Sequence, residues 1–160
     1  VSYTLSLHDA LPICGGPAGI GAAVTLTQLG YQADIFDPGE LGGQAALIPD
    51  DRLDRGMLLS DLLFLAETFH VNHIRDAIMD PISLKDRGYD AVIVAGGLND
   101  PIRLNIPGDE TAIYGMEILQ NPGCYLFKGK RVALVGGAIA ADQALLIAKA
   151  GAAHVEMFTF

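Results

Sequence analysis

Tryptophan is absent, cysteine occurs only twice, and Lys plus Arg number 10 against 19 acidic residues. Each scarcity removes a class of function. Two cysteines, Cys14 and Cys124, cannot build a disulfide framework or a four-ligand zinc site. Sparse cysteine fits a reducing cytoplasm. The deficit of cations leaves a formal charge of −9, which argues against an electrostatic partnership with nucleic acid. No run approaches the ~18 consecutive apolar residues of a transmembrane helix, so no membrane span is expected. What is present is apolar: 51% hydrophobic residues over 160 positions and a mean hydropathy of +0.35. That is enough to bury a core and too much for a disordered chain. The 19 glycines exceed the usual ~7% and follow no collagen-like period. In an Ala- and Ile-rich chain they suit an α/β protein with tight phosphate-binding turns.

The two ends read differently from the middle. Residues 1–13, VSYTLSLHDALPI, resemble the translation of a sequencing adapter, with Tyr3 to Ile13 in its frame. They lack the basic and long apolar regions of a signal peptide. They are set aside as an adapter-derived artefact, except that Leu11 to Ile13 are placed to stand in for a first strand. A glycine codon that lost its first base at that junction would read as Cys14. At the other end the chain stops in a strand-like run, HVEMFTF, so a truncated fragment of a longer enzyme is expected.

From residue 14 the text runs CGGPAGIGAAVTLTQLGYQADIFD. Ile20, Ala23, Val24, Leu26 and Leu29 follow the glycine turn at helical spacing, and Gly30 marks the helix end. Ala33 to Phe36 reads as a strand closed by Asp37. Leu58, Leu62, Leu65 and Phe69 predict a second helix, with Asp61 and Glu67 on its solvated side. Residues 76–84 are expected to hold one or two short strands around Pro81. Asp90 to Val94 reads as a buried strand leading into Gly96 and Gly97, and Met116 to Leu119 as a short helix. Val132 to Val135, Gly136, Gly137, an Ala-rich helix over 138–150 and a last strand repeat the β–glycine–α–β order. The two copies lie too far apart for a solenoid and read as two dinucleotide folds in series.

The first copy places Cys14, Gly16 and Gly19 in the slots of a G-x-G-x-x-G. Glycine in the middle slot lets the backbone approach a pyrophosphate, and in the last slot lets the helix pack close to its strand. The helix N-terminus offers amides and partial positive charge to an anion. Asp37, about 20 residues on, stands where an acid accepts ribose hydroxyls. The bland alternative is a glycine turn before a packing helix. Cysteine in the first slot would strain a positive φ. The second copy, GGAIAAD, fits two spacings. One uses Gly136, Ala138 and Ala141; the other uses Val135, Gly137 and Ala140. Either lacks a glycine, and a ligand-free packing turn is the alternative.

With GGPAG and Asp37, the segments Gly42-Gly43-Gln44, IPDDRLD, YDAVIVAGG, IPGDE and GKRVALVGG occur in an order that resembles the FAD-dependent pyridine-nucleotide oxidoreductases. These are flavoproteins with two dinucleotide-binding domains, and the subgroup most similar is the glutamate synthase small subunit. The resemblance implies an α/β chain: a Rossmann-like FAD domain over 14–110, a linker over 111–128, and the start of an inserted NAD(P)-binding domain over 129–160. It implies Gly16, Ala18 and Gly19, with Cys14 in the turn, at the FAD pyrophosphate, and Asp37 at its ribose. Gly42, Gly43 and Gln44 would line the path to the flavin, Ile78 would offer backbone to the adenine, and Ala95 and Gly96 would lie beneath the flavin pyrophosphate. Gly136, Gly137 and Ala138 would face NAD(P)H. Hydride would pass from NAD(P)H to FAD, and electrons onward to a partner domain or subunit such as an iron–sulfur centre. No side chain is nominated as catalytic, and the isolated fragment is expected to be inactive. Two alternatives stand beside this reading: a disulfide reductase with its cysteine pair outside this sequence, and a nucleotide-binding module without redox chemistry.

The remaining polar groups read as structure. His70 and His73 lack a third metal ligand and are taken as ordinary histidines. Asp50, Asp51 and Asp54 read as a solvated helix start rather than a metal cluster, and Arg52 as a solvated cation. Cys124 has no C-x-x-C partner.

Overall fold

A computed structural model describes residues 9–77, 80–98 and 104–159. They form two compact units, one drawn from 9–46 and 50–98, the other from 47–49 and 104–159.

The first unit is a parallel sheet with order β3-β2-β1-β4. Its strands are β1 (Asp9–Ile13), β2 (Gln32–Phe36), β3 (Asn72–Ile74) and β4 (Ala91–Val94). Helix α1 (Pro17–Gln28) joins β1 to β2, and α2 (Arg55–Thr68) precedes β3. The first strand lies inside the sheet, with Ile13 opposite Phe36 on one side and Val94 on the other. Residues 9–13, set aside above as adapter-like, thus occupy a central position, and the strand starts earlier than Leu11.

One core joins Ile20, Ala23, Ala33, Ile35, Leu41 and Val71, with Leu62, Ala66 and Phe69 packed against it. Two of the four residues whose spacing predicted α2, Leu62 and Phe69, thus lie on its inward side. Asp54 caps that helix, its carboxylate accepting from the Met57 amide at 2.8 Å, which accounts for an acidic residue at that place. A second core gathers Ile13, Phe36 and Leu84.

The expectation of strands over 76–84 is corrected at 76–77 and 80–84, residues 78 and 79 lying outside the described residues. Pro81–Arg87 forms a 3₁₀ turn. Asp80 starts it by accepting from the Ile82 amide at 2.9 Å, and Pro81, with fixed φ and no amide proton, suits a first helical turn. The strand lies earlier, at Asn72–Ile74. Polar contacts hide it from an apolar pattern: Asn72 donates to Asp34 Oδ1 at 2.8 Å, and Tyr89 donates to Asp34 Oδ2 at 2.6 Å.

The second unit holds α3 (Gly115–Gln120), β5 (Arg131–Val135), α4 (Ala138–Lys149) and β6 (His154–Phe158), with β5 and β6 parallel. Its core is Ile118, Phe127, Leu134 and Ile147. Residues 111–128, expected as a linker, supply two of these four side chains. The apolar Ile118 and Phe127 gain more by burial than by exposure in a solvated connection.

Candidate functional site

The strand order of the first unit reverses beside β1, since the chain runs outward through β2 and β3 and returns to β4 on the other side. Crevices at the carboxyl ends of strands at such a point are the usual ligand sites of open α/β sheets. A cavity of about 340 Å³ lies there. The turn after β1 contributes Cys14, Gly16, Pro17 and Ala18; Asp37 directly follows β2; the connection before α2 adds Gly43, Gln44 and Ala45; the segment after β4 adds Ala95, Gly96 and Gly97.

Backbone hydrogen bonds hold these segments together. The Cys14 amide donates to Phe36 O at 2.8 Å, the Ala95 amide to Ile13 O at 3.0 Å, and the Gly42 amide to Gly15 O at 2.7 Å. Asp37 braces the turn: one carboxylate oxygen accepts from the Gly15 amide at 2.6 Å, the other from the Gly39 amide at 2.8 Å. A carboxylate has about four acceptor sites, so hydroxyls of a ligand still find room on it. Gln44 Nε2 donates to Leu98 O at 3.0 Å, tying the loop before α2 to the segment after β4.

Close backbone approach sets the residue types. A Cβ on Gly19 would stand 1.9 Å from Cys14 O, and one on Gly43 would stand 2.9 Å from the Gly16 Cα. Glycine is therefore obligatory at both places. Gly16 caps α1 without a side-chain acceptor and Pro17 follows. The first-turn amides at Ala18 and Gly19 have no carbonyl four residues back within the helix, the arrangement that receives an anion. Cys14 adopts φ 80°, a left-handed conformation costly for any residue with a Cβ. Burial, and then the charge of Asp37, push the Cys14 thiol up from its ordinary pKa.

The structure thus brings Cys14, Gly16, Ala18, Asp37, Gly43, Gln44, Ala95 and Gly96 to one cavity. Gly19 and Gly42 support it from behind, Gly42 as a buried turn residue at φ 116°. Ile78 lies outside the described residues. Pro17, Ala45 and Gly97 also line the cavity, although none was named as a site residue; their signal was adjacency to the glycine motifs. Among the described residues no group of three metal-ligating side chains exists. His73 instead lies against its neighbour strand, Nε2 at 3.1 Å from Asp37 O.

No family model matches the chain. It is 34% identical over 160 residues to the NADP(+)-dependent formate dehydrogenase subunit beta of Moorella thermoacetica, an alignment covering 91% of the chain and 22% of that protein. The structure of 6-hydroxypseudooxynicotine amine oxidase from Pseudomonas geniculata N1 superposes with a TM-score of 0.76 at 29% identity, covering 97% of this chain and 25% of that one. These matches are to oxidoreductases, in agreement with the resemblance to the FAD-dependent pyridine-nucleotide oxidoreductases. The chain spans about a fifth to a quarter of the length of these two relatives. Lactococcus lactis thioredoxin reductase shares the fold, with a TM-score of 0.65 at 17% identity over 95% of this chain and 56% of that one. No helix among the described residues is long and apolar enough to cross a membrane.

The second strand–helix turn agrees with each of the two spacings read in the sequence only in part. Gly136 takes the strand-end place, its amide donating to Phe158 O at 3.0 Å. Gly137 is the N-cap, Ala138 the first helical residue, and Ala140 the buried third one. Ala138, expected as the middle motif residue, therefore stands where the first turn has Pro17. Counted from the helix, Gly137 and Ala140 take the middle and last slots of the second spacing, as Gly16 and Gly19 do in the first copy; counted from the strand, Gly136 takes the first slot of the other spacing.

Proposed function

We propose that the first unit binds FAD and that the protein serves as an electron-transfer oxidoreductase of the cytoplasm. Reducing equivalents would come from NAD(P)H and leave for a partner domain or subunit such as an iron–sulfur centre. The observation that carries the reading is the cavity at the carboxyl ends of β1 and β4, with its Gly16–Gly43 approach, open helix amides and Asp37 at the rim. FAD, where bound, supplies hydride acceptance and electron release, and the protein supplies position and electrostatics.

The chain's own residues divide the work. Ala18 and Gly19 offer amides to the pyrophosphate. Gly16 and Gly43 keep the cradle free of side chains. Asp37 receives ribose hydroxyls while bracing Gly15 and Gly39, and its charge repels a 2′-phosphate, which favours FAD over a phosphorylated dinucleotide. Gln44 holds the mouth closed toward Leu98.

Replacement of Asp37 by Ala tests this assignment. It should lower bound flavin at least tenfold and destabilise the fold by about 1–3 kcal/mol through the two lost amide partners. The ratio of NADH to NADPH affinity should stay unchanged. Intact flavin content with a shifted ratio would mean that the two cofactors are assigned to the wrong units.

A further inference from the structure

The two strand–helix–strand copies can be compared residue by residue, because their hydrogen bonds mark equivalent places. Ile13 pairs with Phe36 in the first sheet as Val135 pairs with Phe158 in the second. The next amide, Cys14 or Gly136, donates to the carbonyl of that partner, Phe36 or Phe158. Each following helix has 12 residues, capped by Gly16 in one case and Gly137 in the other. Strands and helices therefore match, and the difference falls in the turn. Cys14, Gly15 and Gly16 span it in the first copy; only Gly136 and Gly137 span it in the second.

The missing residue matters chemically. In the first turn Cys14, at φ 80°, swings the chain away from the strand before Gly15 and Gly16 lead into the helix. In the second, neither glycine has a positive φ, and Gly137 lies at φ −101°. The helix starts sooner, and a Cβ on Gly136 would stand 3.3 Å from the Ala140 Cβ. The concave run of backbone that receives a pyrophosphate is shorter by one peptide and one amide donor.

We infer that the second unit does not seat a dinucleotide pyrophosphate on its strand–helix turn, because that turn is one residue short. This rests on the reading above that assigns NAD(P)H to the second unit. It means that the donor dinucleotide binds weakly here, while the flavin cradle in the first unit is complete. The residues present do not fit the pyridine nucleotide as they fit FAD.

The test is a calorimetric titration of the chain with NADH and NADPH, beside a variant with one glycine inserted between Gly136 and Gly137. Bound FAD is measured on the same samples. The insertion should tighten at least one of the two nucleotides tenfold or more and leave flavin content unchanged. Equal affinities in the two chains, or no binding by either, would overturn the inference. Should the insertion variant not fold, the reciprocal change decides: deletion of Gly15 shortens the first turn to the length of the second. FAD affinity should then fall at least tenfold, and an unaltered affinity would refute the turn-length argument. Absence of flavin from the unaltered chain would instead count against the FAD reading, so the two failures are distinguishable.

Discussion

Cys14 concentrates the residue-scale argument. It occupies a left-handed backbone position, lines the cavity and sits within reach of the Asp37 charge. Glycine there loses nothing by φ 80°, so Cys14→Gly should stabilise the chain by about 1 kcal/mol despite the added freedom of its unfolded state. A denaturant midpoint shift at unchanged slope would record it. The thiol has its own signature. Burial and then Asp37 favour its protonated form, so the folded chain holds that proton more tightly than the unfolded one. Stability should accordingly fall as pH rises past the ordinary thiol range. Alkylation followed by mass spectrometry should label the exposed Cys124 well before Cys14, and FAD should slow Cys14 further. Equal labelling rates would contradict the half-buried, protonated assignment. The slot, the residue and the steric conflict were all legible in the sequence. The double bracing by Asp37 of Gly15 and Gly39 was not, because a motif reports a residue's ligand role and says nothing of the turn it holds in place.

At the scale of elements, close packing of α1 on β1 rests on Gly19. Its missing Cβ leaves room for the carbonyl of Cys14, which is backbone and cannot step aside without moving the strand. Gly19→Ala should cost about 1–3 kcal/mol by overpacking, or more if the helix shifts, and should abolish flavin binding. Circular dichroism melts and flavin absorbance check both parts; a stable variant that retains flavin would show that α1 tolerates displacement. Helices α1 and α2 were readable because a helical apolar spacing survives in the letters, and α4 because its segment is rich in alanine. The strand Asn72–Ile74 was not, since Asn72 and His73 are held by Asp34 and by the Asp37 carbonyl rather than by alternating apolar contacts. The 3₁₀ turn at Pro81–Arg87 escaped for the opposite reason. Its apolar residues, Ile82 and Leu84, resemble a strand, while the Asp80 side chain and Pro81 direct a turn.

For the whole molecule, the sequence made the repeated β–glycine–α–β order plain, and the structure adds that the repeats are unequal. One turn has three residues and belongs to a lined cavity; the other has two. Residue counting alone left two spacings open for the second motif, because the loss of one residue in a turn changes no apolar period on either side. Strand register resolves it, and register is a property of pairing between distant segments. The central claim is that the first unit carries a working FAD cradle. Its most direct test is equilibrium titration of the chain with FAD, followed by flavin fluorescence, beside Cys14→Gly and Gly43→Ala. The account predicts saturable binding at one FAD per chain, tighter in Cys14→Gly and lost in Gly43→Ala, whose Cβ would collide with Gly16. No saturable binding in Cys14→Gly, or undiminished binding in Gly43→Ala, would contradict it.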